Sequence, residues 1–109
     1  MSSAVASLLR EQGFLVREAA SGEALWDLIN DGTPPDLVIT DLQMCGISGM
    51  DVLSRMQRQH SRIPVILMTG FTGPRVRVQA LQKGAAGVLT KPFSAAMLRA
   101  LVDESVRTA

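Results

Sequence analysis

The sequence predicts an α/β domain, a parallel sheet with helices crossing between its strands. Three observations carry this. Apolar runs at residues 37–41, 63–68 and 87–90 have the length and Val/Ile/Leu content of strands buried on both faces. Stretches of helical period separate them, the alternation of a βαβ protein. Each run also ends in a polar group, and Asp41, Thr69 and Lys91 fall where open α/β sheets carry their chemistry.

The chain's 109 residues fit one domain, 1–109. With 47% hydrophobic and 19% charged residues it reads as globular. A net charge of +1 argues against nucleic acid or an acidic membrane surface as a direct partner. One cysteine excludes an internal disulfide and agrees with a cytoplasmic location. No apolar run approaches the ~20 residues of a membrane span.

Taken in order, the first helix covers residues 4–12, with Val5, Leu8 and Leu9 inward and Gly13 as its stop. Residues 14–18 form a short strand that turns polar and belongs at an edge. Ser21 caps a second helix whose buried face is Leu25, Leu28 and Ile29. Residues 31–35, with Gly32, Pro34 and Pro35, break it before the Asp41 strand. Ser48 and Asp51 have capping-box spacing for a third helix with Val52, Leu53 and Met56 inward. A loop at 70–74 follows the second apolar run. A fourth helix at 75–83 stops at Gly84 and turns Val76, Ala80 and Leu81 inward. Ser94 caps the last helix, Phe93 and Leu98 sit at staple spacing, and Leu98, Leu101 and Val102 face the core. The methionines, Met97 among them, read as fillers in or near the core. Trp26 is expected to be partly exposed.

Several residues have plain explanations. His60 ends a helix among Arg58, Gln59 and Arg62, as a solvated helix-terminal residue. Cys45 has no His or Cys nearby to make a zinc or nucleophile site. Arg75, Arg77 and Lys83 read as a solvated helix face.

Across residues 4–106 the chain resembles a response-regulator receiver domain of two-component signalling. The resemblance rests on the segment Leu37-Val38-Ile39-Thr40-Asp41-Leu42-Gln43-Met44 and on Ser48-Gly49. It continues through Met68-Thr69-Gly70, Lys83-Gly84-Ala85 and Leu89-Thr90-Lys91-Pro92-Phe93. It implies a flavodoxin-like, doubly wound sheet of order 2-1-3-4-5. By position, Asp41 would be the phosphoacceptor for a histidine kinase or phosphotransfer protein. Thr69 would be the switch hydroxyl and Lys91 the phosphoryl contact. The backbone N–H groups of Gln43 and Gly70 would contact the phosphoryl oxygens. Asp41 and the Gln43 carbonyl would ligate Mg2+, and the Lys91–Pro92 peptide would be cis. These roles suit phosphoryl transfer, which depends mainly on positioning and charge neutralisation.

The chain departs from the family pattern at its start. Family members open with a buried strand ending in two adjacent acidic residues. Here the first helix begins near Met1, and no such pair precedes Glu11. The chain is thus expected to be N-terminally truncated, with the central strand and the other acidic magnesium ligands missing. Phosphorylation of these 109 residues alone is expected to be weak or absent. Either the chain is a fragment, or a homodimer or strand-swapped partner completes the sheet, or residues 14–18 move beside the Asp41 strand to make four strands. Cys45 replaces a usual proline, and Val88 replaces an aromatic that often relays the switch.

Two rival functions follow. A degenerate receiver could act as a phosphorylation-independent interaction or dimerisation module. A haloacid-dehalogenase-type phosphohydrolase also uses Asp, Thr and Lys from strand ends. That class wants a second Asp where this chain has Gln43, and it is disfavoured.

Overall fold

A computed structural model describes residues 3–19, 21–42, 48–59, 62–70 and 74–108. Its elements run α1 (Ser3–Glu11), α2 (Gly22–Ile29), β1 (Val38–Asp41), α3 (Gly49–Gln59), β2 (Val65–Thr69), α4 (Pro74–Gln82), β3 (Gly87–Thr90) and α5 (Ala95–Thr108). The strands form one three-stranded sheet of order β1-β2-β3, and both pairings are parallel. The predicted bounds of the first and fourth helices, 4–12 and 75–83, and of these strands agree with the observed ones to within a few residues.

The doubly wound arrangement follows from strand alternation. Along β2, Val65 and Leu67 join Ile29, Val38, Val52, Leu53, Met56 and Ala80 in one cluster. Ile66 and Met68 point the other way and join Val5, Leu9, Leu89, Leu98 and Val102. Thus α1 and α5 cover one face, while α2, α3 and α4 contribute to the other. Every residue of β2 is buried, as a central parallel strand requires.

The local signals work as their chemistry dictates. Ser21 holds extended φ/ψ, and its hydroxyl accepts from the Ala24 amide at 3.1 Å. Ser48 accepts from the Asp51 amide at 3.2 Å, and Ser94 from Met97 at 3.1 Å. Gly13 and Gly84 stop their helices at φ of 95° and 100°, a region costly for residues with a Cβ. Replacing Ser21 by Ala should cost about 1 kcal/mol. The check is a lower urea midpoint at an unchanged slope. Arg17 braces the break after α2, its guanidinium 2.5 Å from the Asp31 carboxylate. The Thr33 amide and Arg17 together hold the Asp31 carboxyl below its ordinary range.

Four expectations need correction. Residues 14–18 are not a strand. They keep the alternation of one, with Phe14 and Val16 packed on the core and Leu15 fully exposed at 102%. No described strand lies beside them, so their backbone has no ladder to join. The four-stranded arrangement is therefore not adopted among the described residues. Second, β1 is not buried on both faces. It is an edge strand of the described sheet, and Ile39 and Asp41 are half-buried. Third, Leu81 does not turn inward. It is exposed with Val78, while Ala80 of the same helix is fully buried in the core. Fourth, Met97 lies on the exposed side of α5, away from Leu98 and Val102. The partial exposure of Trp26 is as expected, and the Arg55 guanidinium sits 5.6 Å from its ring centroid. Arg75, Arg77 and Lys83 are exposed, as a solvated face should be. Met44, Cys45, His60 and residues 71–73 lie outside the described residues.

Candidate functional site at the carboxyl ends of the strands

Strand register builds the site. Asp41 pairs with Met68, and Met68 with Leu89, so the ends of β1, β2 and β3 align. Backbone bonds then tie the residues just beyond the strands. The Leu42 amide donates to the Met68 carbonyl at 2.8 Å, and the Lys91 amide donates to the Thr69 carbonyl at 2.7 Å. Asp41, Thr69 and Lys91 are far apart in sequence but share one edge of the sheet. This is the carboxyl edge on which open α/β sheets bind ligands.

Lys91 crosses from the end of β3 to Asp41. Its Nζ lies 2.6 Å from Asp41 Oδ1, a charge-assisted hydrogen bond. The Lys91–Pro92 peptide is cis, as the resemblance implied. Thr69 is buried at 4% exposure at the end of β2, in register with Thr90. Gly70 follows it and is exposed. Gln43 lies outside the described residues, so its amide and carbonyl roles have no geometry to report.

Chemically, the arrangement offers a partly open carboxylate with a fixed ammonium beside it. An anion arriving at Asp41 would meet the Lys91 charge without reorganisation of the strands. Magnesium fits less well. Among the described residues, no group of three His, Cys, Asp or Glu side chains is placed to hold a metal ion. Asp41 alone is a poor site for a cation that prefers octahedral oxygen ligation. No step below is routed through the metal.

Sequence reasoning missed two neighbours of Asp41. Thr40 is buried at 3%, and its hydroxyl donates to the Asp41 main-chain carbonyl at 3.2 Å. Gly49 opens α3 directly against that carbonyl. A polar residue inside an otherwise apolar strand, next to the candidate site, was the available signal for Thr40.

Fold and site together define a doubly wound α/β domain with an Asp, Thr and Lys set at its strand ends. Comparison with known proteins gives the family. The model of the response regulator receiver domain matches residues 1–103, and the chain belongs to that family. It is 33% identical over 102 residues to the transcriptional regulatory protein FixJ of Bradyrhizobium diazoefficiens, covering 94% of this chain and 49% of that protein. FixJ of Azorhizobium caulinodans is 36% identical over 104 residues, with 94% and 48% covered. The chain thus spans about half the length of these relatives. Among solved structures, the receiver domain of NtrX from Brucella abortus matches with a TM-score of 0.90 at 29% identity. That match covers 97% of this chain and 89% of that one. Receiver domains are signalling modules of two-component systems, not enzymes in the ordinary sense.

Proposed function

We propose that Asp41 accepts a phosphoryl group from the phosphohistidine of a histidine kinase or phosphotransfer protein, and that the phosphorylated domain controls a partner or output. The single observation that carries this is the ion pair between Lys91 Nζ and Asp41 Oδ1 at 2.6 Å, at the carboxyl edge of a parallel sheet. An Asp41 carboxylate oxygen attacks phosphorus, the P–N bond to the imidazole breaks, and the imidazole nitrogen leaves. The Lys91 ammonium moves from the lone carboxylate to the new phosphoryl oxygens, where the negative charge has grown. Thr69 serves as the hydroxyl that follows the phosphoryl group, with the Gly70 and Gln43 amides as further donors. Mg2+ would be expected from the family, but the described carboxylates do not make its site. A cytoplasmic location is part of the reading. It is supported by the single cysteine, and no described helix is long and apolar enough to cross a membrane. The interaction-module alternative gains no support from the comparisons.

Incubation of the chain with acetyl phosphate, read by intact mass, tests the proposal. A slow, low-occupancy phosphoryl adduct is expected on the wild type and none on Asp41→Asn. An equal adduct on both proteins, or one on Asp41→Asn alone, overturns the assignment.

A further inference from the structure

We propose that Thr40 and Gly49 are positioning residues that hold the main-chain carbonyl of Asp41 and thereby aim its carboxylate at Lys91. The proposal rests on Asp41 being the phosphoryl acceptor.

Hydrogen bonds to β2 fix the direction of the strand's backbone groups. The Val38 amide donates to Pro64 at 3.0 Å and the Leu42 amide to Met68 at 2.8 Å, so these residues face β2. Alternation turns the Asp41 carbonyl the other way, toward the sheet edge. The Thr40 hydroxyl reaches that carbonyl at 3.2 Å. Thr40 is 3% exposed, and valine would occupy the same volume. A buried hydroxyl is costly unless it is hydrogen-bonded, and this bond gives it a partner.

Gly49 closes the other side. Its amide donates to the Leu42 carbonyl at 2.8 Å. A Cβ built at Gly49 would overlap the Asp41 carbonyl oxygen and lie 2.9 Å from Leu42 Cα. The obstacle is backbone, which cannot rotate away as a side chain could. Glycine is thus required for α3 to begin this close to the acceptor.

The peptide group joining Asp41 to Leu42 is planar, so fixing its two ends fixes its orientation. Its N–H is held by the Met68 carbonyl and its carbonyl by the Thr40 hydroxyl, with the bare Cα of Gly49 packed close against that oxygen. The carboxylate hangs from a backbone with little freedom. Phosphoryl transfer depends on positioning more than on covalent help, so the clamp acts on rate through Asp41.

The test uses the full chain with Thr40→Val, Thr40→Ser, Gly49→Ala and Asp41→Asn. The first readout is the rate of adduct formation at Asp41 from acetyl phosphate. Thr40→Val should slow it about tenfold, within the range that small misplacements cost. Thr40→Ser restores the hydroxyl and should return the rate to within about twofold of wild type. Gly49→Ala should slow it at least as much as Thr40→Val. The second readout is the Lys91 ammonium signal by NMR, which needs no phosphorylation. It should lose its Asp41 contact in Thr40→Val and regain it in Thr40→Ser. Equal behaviour of the valine and serine variants, in either readout, overturns the clamp. An adduct that forms equally on Asp41→Asn would sink the acceptor reading alone, and the Lys91 signal would still decide the clamp.

Discussion

Lys91→Met is expected to slow phosphoryl transfer to Asp41 by about 10²-fold or more while changing stability by less than about 1 kcal/mol. The two effects part because of where the pair sits. The Lys91 side chain is 45% exposed and that of Asp41 21%, so solvent screens much of their attraction in the resting protein. Surface pairs of this kind add little to folding. In transfer, the same ammonium meets charge that develops on phosphoryl oxygens, and a fixed donor is worth most there. Adduct rates from acetyl phosphate and urea unfolding of the same two proteins check both halves. A variant that transfers at the wild-type rate would remove Lys91 from the site. One that unfolds would make its role structural.

Leu53→Ala should cost about 2–5 kcal/mol, a large share of the ~5–15 kcal/mol that holds a domain folded. Leu53 is 0% exposed and packs in the cluster formed by β1, β2, α2, α3 and α4. Truncation removes its apolar surface from the core and leaves a cavity that rigid strands on one side cannot fill. Leu15→Ala is the matched control. Leu15 is 102% exposed, so the same change there should be nearly neutral. Urea midpoints for the two variants give the comparison, and similar losses at both positions would contradict the core described above.

The parts legible in the sequence were those governed by local chemistry. Ser21, Ser48 and Ser94 cap helices because a hydroxyl can satisfy an orphan amide a few residues on, whatever the tertiary context. Gly13 and Gly84 stop helices for a similarly local reason. Val52, Leu53 and Met56 are fully buried because helical periodicity fixes which residues share a face. The strand-end set of Asp41 and Lys91 was also legible, since parallel topology brings strand ends together.

The misses share another cause: they depend on neighbours. Residues 14–18 have strand character, yet a strand exists only through pairing. Leu81 suits a core position, but its exposure was decided by the roll of α4 around Ala80. Ile39 and Asp41 are half-buried because β1 has a described partner on one side only. Thr40 and Gly49 stood in the matching segments without a role, because their approach to the Asp41 carbonyl joins the strand to the start of α3, and no sequence period encodes it.

Borohydride trapping measures most directly whether Asp41 is the point of phosphoryl attachment. An aspartyl phosphate is an acyl phosphate, which borohydride reduces to the alcohol, leaving homoserine in the chain. After treatment with acetyl phosphate and borohydride, peptide mapping should find homoserine at position 41 and at no other aspartate. Homoserine at Asp36 or Asp51 instead would contradict it.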